Sequence, residues 1–329
     1  MPVPPRKTKE NGFVIVVVLC MVMLLTILVV GFNQRARIAL KDADRMEKSA
    51  RTLNCARAGL NLAIAMIRDN NDPAASGSLR NLSATDLEFD VEDGTCRLNL
   101  TAESGKFNVN LLRDKDGRLN RTKIDQMLRL IDRINQTQTD GTQIGYGLVP
   151  AIIDWIDTDS HVTTLPFIKG ENRGAESDYY QTLDTPYRCK NTPIDATEEL
   201  LLIKAITPEI FERIRHYVTA YGDGKININV APARVIESLS EDMNPVLARI
   251  IIERRQFRPF ESITELRNIA GMTESIYQDI AGTAVVRAAQ PYYRVICQAN
   301  VADVSRKITA ILRKNSKAGT IDVVWYTET

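Results

Sequence analysis

The order of apolar and polar positions divides the chain into regimes with different periods. From Phe13 to Phe32 the run FVIVVVLCMVMLLTILVVGF carries no charge, and Thr26 is its one clearly polar side chain. At about 1.5 Å per residue such a helix covers roughly 30 Å, the thickness of a bilayer core. The next residues, NQRARIALKDADRMEK, continue without Gly or Pro, and Ile38, Leu40, Ala43, Met46 and Ala50 mix with charges at near-helical spacing. The spacing predicts one helix from Phe13 to about Arg68, half in lipid and half on a domain, ended by DNNDPAASGS. Alternation then predicts strands in ATDLEFDVEDGTCRLNLTAESGKFNVNLL. A mainly helical region covers 112–285. Strand alternation returns in YYRVICQANVADVSRKITAILRK and TIDVVWYTE.

The chain carries two internal repeats. GKFNVN at Gly105–Asn110 recurs as GKININ at Gly224–Asn229. PIDATEELLLIKAITPEIFERI, from Pro193, matches PFESITELRNIAGMTESIYQDI, from Pro259, at Glu199 and Glu265, Leu200 and Leu266, and Thr207 and Thr273. Repetition implies a repeated supersecondary unit. Each unit reads as helix, tight turn, helix, with Thr207 and Thr273 as N-caps of the second helix and Pro208 at its first position in one copy. This resembles a helix-hairpin-helix, a pattern that often binds DNA phosphates through backbone N–H groups. The first copy has Ala205 where the second has Gly271, and Glu209 and Glu274 sit just inside the second helices, where they would repel phosphate. A packing role is therefore expected and a nucleic-acid partner is not. A membrane-anchored DNA receptor is the alternative reading.

Composition narrows the classes. The chain has 329 residues, a net charge of +1, 25% charged and 44% hydrophobic residues, which is a globular balance without strong attraction to nucleic acid. Two histidines and five cysteines with no CxxC pair make a Cys/His zinc site unexpected. Cys96 and Cys297 sit in strand-like runs and are candidates for a disulfide if the bulk of the chain is extracytoplasmic; two buried thiols are the equal alternative.

The stretches AIIDWIDTDSH and ENRGAESDYY gather Asp154, Asp157, Asp159, Glu171, Glu176 and Asp178. So many carboxylates repel unless dispersed, paired or bound to a metal. Hard oxygen donors at irregular spacing suit Ca2+, although the EF-hand order is missing. A solvated loop neutralised by Lys169, Arg173 and Arg188 is the competing reading. No His, Lys or nucleophile is arranged with the carboxylates, and no GxxxxGK[ST] occurs, so no enzyme activity is expected.

Arg6, Lys7 and Lys9 precede the apolar run, which places the N-terminus in the cytoplasm and the bulk across the membrane. A basic leader, Gly12, Phe13 and an apolar run that continues as an amphipathic helix resemble a type IV pilin or pseudopilin. The resemblance implies cleavage by a prepilin peptidase between Gly12 and Phe13 and N-methylation of Phe13. Most pilins carry Glu at mature position five, here Val17. A lone carboxylate in lipid is costly unless paired, so an apolar residue suits a subunit with nothing ahead of it.

Together with DWIDTD…GAESDYY, PYRCKNTPIDATEELLLIKAIT and INVAPARV, these pieces resemble the type II secretion system protein K family of minor pseudopilins across nearly the whole chain. The resemblance implies an α+β, pilin-like fold with a large inserted α-helical domain that contains the two helix-hairpin-helix-like repeats. It divides the chain into a leader (1–12), a transmembrane helix (13–32), two pilin-like parts (33–111 and 286–329) and the insert (112–285). It implies a single-pass inner-membrane protein with a periplasmic bulk, calcium at the acidic stretch, and partners in minor pseudopilins I and J, the major pseudopilin and prepilin peptidase. The expected function is assembly of the pseudopilus tip during export of folded proteins. A minor type IV pilin is a further alternative.

Overall fold

The computed structural model describes residues 11–69, 86–91, 94–136, 143–315 and 318–329. The basic residues of the leader and most of DNNDPAASGS lie outside these residues.

A single helix, α1, runs over Asn11–Asp69. Its apolar half buries nothing: Phe13 is 74% exposed and the side chains to Val30 are likewise open. Its distal half buries one stripe, Cys55, Ala56, Leu60, Ala63 and Ile67, at helical spacing. That stripe lies on a five-stranded antiparallel sheet in the order β1-β2-β7-β8-β9. The strands are β1 (Leu87–Val91), β2 (Gly94–Ala102), β7 (Tyr292–Val301), β8 (Val304–Asn315) and β9 (Thr320–Glu328). The alternating residues Cys96, Leu98 and Leu100, Tyr293, Val295, Cys297 and Ala299, and Ile308, Ala310 and Leu312 point at α1 and close this core. Truncating a fully buried leucine such as Leu98 to Ala costs about 2–5 kcal/mol.

β2 pairs with β7 from Gly94↔Val301 to Ala102↔Tyr293, so the chain leaves the sheet after β2 and returns next to it at β7. The intervening residues form a second, larger core. It is built on α2 (Arg121–Asn135), α3 (Leu148–Ile156), α4 (Ser177–Tyr180), α5 (Pro208–Ile214), α6 (Ala233–Glu237), α7 (Pro245–Phe257) and α8 (Glu274–Ala281). Ile311 belongs to this core, and Trp325 and Tyr292 pack on it, so the sheet touches both cores.

Two short parallel pairs recur along the chain. β3 (Phe107–Asn108) pairs with β4 (Val218–Thr219), and β5 (Ile226–Asn227) pairs with β6 (Ala284–Val285). The asparagine after each pair is used identically. Asn110 Oδ1 accepts from Ile194 N–H (2.8 Å), and its Nδ2 donates to the Ile194 and Ala220 carbonyls. Asn229 Oδ1 accepts from Phe260 N–H (2.8 Å), and its Nδ2 donates to the Phe260 and Val286 carbonyls. Thr207 and Thr273 cap α5 and α8 through Ile210 and Ile276 N–H, and Pro208 opens α5.

The first element of each repeat differs from expectation. Thr197–Leu202 and Ile263–Asn268 are 3-10 helices, not α-helices. Each is only six residues long and is held between extended residues, Ala196 and Ile203 in one copy and Ser262 and Ile269 in the other. Such short spans favour the tighter helix. Glu199 and Glu265 each reach back to two backbone N–H groups at its start. The tight turn then needs a left-handed residue, supplied by Ala205 (φ 67°) in one copy and Gly271 (φ 89°) in the other.

Candidate metal centre

α3 is apolar on all sides and every residue of LVPAIIDWI is buried. Trp155 packs edge-on against Tyr180 with ring centroids 5.3 Å apart, which ties α3 to α4. This packing carries Asp154 into the interior. Asp157, three residues on and at the end of α3, lies on the same side. Glu176 precedes α4 and enters from the opposite strand of chain. Asp154, Asp157 and Glu176 are 0%, 3% and 4% exposed, and one oxygen from each lies within 4.8 Å of the others.

Three buried carboxylates have one cation. Arg113 contacts Asp157 directly and lies 3.8 Å from Asp159. Thr163 N–H donates to Asp154 Oδ1 at 2.9 Å. Asp154 Oδ2, Asp157 Oδ1 and both Glu176 oxygens have no hydrogen-bond partner. Buried oxygens of this kind are costly unless something positive meets them. Burial pushes the Asp154 carboxyl above its ordinary range, against the Thr163 hydrogen bonds. Burial pushes Asp157 up to about 6 despite Arg113. Burial, then repulsion from Asp154 and Asp157, pushes Glu176 up to about 7.

The site fits a hard divalent cation. All its donors are oxygen, they converge, and each of the three carboxylates has at least one oxygen without a hydrogen-bond partner. Room for them depends on Gly174, where a Cβ would land on Asp154 Oδ2 and 2.6 Å from the Pro150 carbonyl. Ca2+ takes about six to eight oxygens, so backbone carbonyls and water would complete the shell. Asn191 adds another buried oxygen without a partner, while its Nδ2 donates to the Asp159 carbonyl at 2.6 Å.

Of the six carboxylates expected in this site, three converge. Asp159 is an outlying neighbour whose side chain is 44% exposed, and a hydrogen bond from His161 N–H holds its pKa below the usual range. Glu171 and Asp178 must be removed from the candidate set. Glu171 turns away to pair with Lys204 Nζ at 2.7 Å, and Asp178 is exposed on the first turn of α4. Arg113, from the segment that follows β3, replaces Lys169, Arg173 and Arg188 as the counter-charge. No local spacing links Arg113 to the acidic stretch, and only the fold brings it there.

The remaining candidate residues lie elsewhere. Gly12 and Phe13 occupy the first turns of α1. Cys96 and Cys297 carry free thiols on neighbouring strands. Glu209 and Glu274 stand in the first turns of α5 and α8, and Glu274 is bound by Arg267 at 2.9 Å.

Comparison with known proteins covers the whole architecture. Two family models, both described as "Type II secretion system (T2SS), protein K", match residues 105–223 and 226–287, together just over half the chain. The boundary between the parts falls between the two repeats. A type II secretion system protein K from Pseudomonas aeruginosa is 24% identical over 325 residues, which is 96% of this chain and 92% of that protein. The protein K of Pectobacterium carotovorum subsp. carotovorum is 23% identical over 267 residues, covering 80% and 76%. Among solved structures, a chain of the GspK-GspI-GspJ complex from the enterotoxigenic Escherichia coli type 2 secretion system superposes with a TM-score of 0.61 at 16% identity. The match covers 90% of this chain and 99% of that one.

Proposed function

The chain belongs to the type II secretion system protein K family, and on that premise we propose that it is the minor pseudopilin that initiates and caps the pseudopilus. In the Escherichia coli structure named above the similar chain is found with GspI and GspJ. The same association is proposed here, with minor pseudopilins I and J beside the chain and the major pseudopilin below. The observation that carries the reading is the pairing of two features in one chain. A helix whose Phe13–Phe32 run is uncharged, with Val17 in place of the usual acidic residue, leads into a sheet that the chain leaves and rejoins around a whole extra domain. Such a bulk suits the end of a fibre, where nothing is stacked above it.

Processing would follow the leader. Prepilin peptidase cuts between Gly12 and Phe13, Phe13 is N-methylated, and the mature chain spans the inner membrane with its bulk in the periplasm. The work of the chain is mechanical: it binds partners and holds a shape. Asp154, Asp157 and Glu176 would hold a structural Ca2+, which supplies the positive charge that their buried oxygens lack.

The test is the mass of the N-terminal peptide from cells with and without prepilin peptidase. A methylated peptide beginning at Phe13 only when the peptidase is present supports the reading. An intact Met1 in both strains overturns it, and the anchored DNA receptor then becomes the reading to assay. Titration of the purified chain with Ca2+ by calorimetry tests the metal, and absence of heat at micromolar to millimolar Ca2+ removes it.

A further inference from the structure

A cavity of about 960 Å³ separates part of the sheet's outward face, the one turned away from α1, from the insert. That is the size of a ligand site. Asn99 and Thr101 of β2, Gln298 of β7 and Thr309 of β8 offer hydrogen-bonding groups from its floor. Ile296 of β7 adds apolar surface, and Phe211 of α5 and Ile252 of α7 add more from the insert. The floor is long as well as wide. From Arg97 to Thr101 it follows β2 for about 14 Å, and across β2, β7 and β8 it measures about 10 Å.

The charge of the lining is one-sided. Six Arg and Lys side chains line the cleft, against two carboxylates, Asp86 and Glu198. Both carboxylates are engaged: Arg294 binds Glu198 at 2.8 Å, and Arg97 lies 3.8 Å from Asp86. Glu103, buried beneath the floor, meets Lys106 and Arg294. Arg215 pairs at 2.8 Å with Glu212, which is not part of the lining. Arg255 is held by the Ile228 carbonyl. Lys307 is exposed, and among the described residues no carboxylate pairs with it. His216 registers the excess: burial, then the charges of Arg215 and Lys106, hold its imidazole below the ordinary range.

We propose that this cleft binds an acidic, extended polypeptide segment of a partner protein, with carboxylates toward the cationic lining and apolar side chains against Ile296, Phe211 and Ile252. Charge complementarity selects the sign of the ligand. The length of the floor and its mixture of amide, hydroxyl and apolar groups select a peptide over a small anion, which would use one end and leave the rest empty. A segment of about four residues spans the floor. The cleft would take it whether or not the chain caps a fibre, so failure here leaves the function proposed above untouched.

The test uses the full chain in detergent at fixed Ca2+, with a blocked peptide of alternating Glu and Leu as the probe. The peptide should bind saturably below about 1 mM. Its Gln and Leu counterpart should bind at least about tenfold more weakly, and so should the Glu peptide to Lys307→Glu, an exposed position on the rim. The chain has two histidines, so their proton signals are assigned with one His161→Gln variant. Bound peptide should raise the titration midpoint of His216 and leave that of His161, which is 96% exposed in its side chain, where it was. No binding, equal binding of the Gln peptide, or unchanged affinity in Lys307→Glu overturns the proposal. Displacement of the peptide by an equal concentration of inorganic phosphate also overturns it and makes the cleft a small-anion site.

Discussion

The two repeats of the insert have one skeleton and different burdens. In both, a short parallel strand pair, an asparagine with three hydrogen bonds, a 3-10 turn and a Thr-capped helix recur residue for residue. The second copy runs from Asn229 to Pro259 through two helices and does nothing else. The first runs from Asn110 to Pro193 by a far longer path, and that path contains Arg113, Asp154, Asp157, Glu176 and Asn191. The shared skeleton is scaffolding, and the candidate metal site lies in what one copy adds to it. Both hairpins pack, and their turn residues answer to backbone geometry.

The strongest way to break this comparison is to remove the shared asparagines. Asn229→Ala leaves Phe260 N–H and the Phe260 and Val286 carbonyls unpaired in the interior and should cost about 2–4 kcal/mol, measured by denaturant unfolding. Asn110→Ala should cost nearly as much. A near-neutral Asn110→Ala would mean that the longer path, not the repeat, holds the first copy together.

The next test separates the added site from the scaffold. At a Ca2+ concentration one hundred times its dissociation constant, binding stabilises the folded chain by about 2.7 kcal/mol. Glu176→Gln should abolish that gain, while Asn229→Ala should keep it, read as the Ca2+-induced shift in thermal midpoint. An equal loss in both variants would contradict a site confined to the first copy.

A pH series sharpens the same point. The folded pKa values of Asp157 and Glu176 are raised, to about 6 and about 7, so these groups favour the metal-free fold when protonated. That contribution is complete below their unfolded pKa of about 4 and is lost as pH rises through about 6 to 7. Ca2+ replaces the proton, so its stabilising shift should be small near pH 5 and grow toward pH 7.5. A shift independent of pH would show that these carboxylates are not the ligands.

The smallest effect concerns the turn. Ala205 sits at φ 67° and Gly271 at φ 89°. Ala205→Gly relieves a left-handed residue but loosens the unfolded chain, for a net gain of about 0.5–1 kcal/mol. Gly271→Ala should lose about 1 kcal/mol, because its nearest neighbour, Leu247 Cδ1 at 3.8 Å, leaves room and only the backbone objects. Equal and opposite shifts on unfolding would show that the two turns are one structure with two residues.

Much of this was legible in the sequence because it is periodic. The extent of α1 follows from apolar spacing, the sheet strands from alternation, and the repeats from recurrence of GKFNVN as GKININ. The gathering of Asp154, Asp157 and Glu176 in one acidic stretch was also legible, although their spacing reads as irregular. Beyond that, composition could not tell inward carboxylates from outward ones. Glu171 and Asp178 lie in the same acidic stretch as Glu176, yet Lys204 draws one away and solvent holds the other. Arg113 reaches the site from a distant segment, and no local pattern marks it. The 3-10 turns were read as α-helices because apolar spacing over six residues does not separate the two periods.

α1 has a consequence beyond packing. It contains no proline and no break over 59 residues, about 88 Å of continuous hydrogen-bonded rod. Gly31, where a kink would be easiest, lies within the helix. A rod of this kind works like a piston shaft. Axial thrust on its apolar end would pass to the sheet on which its distal half packs, and through β7 to the insert.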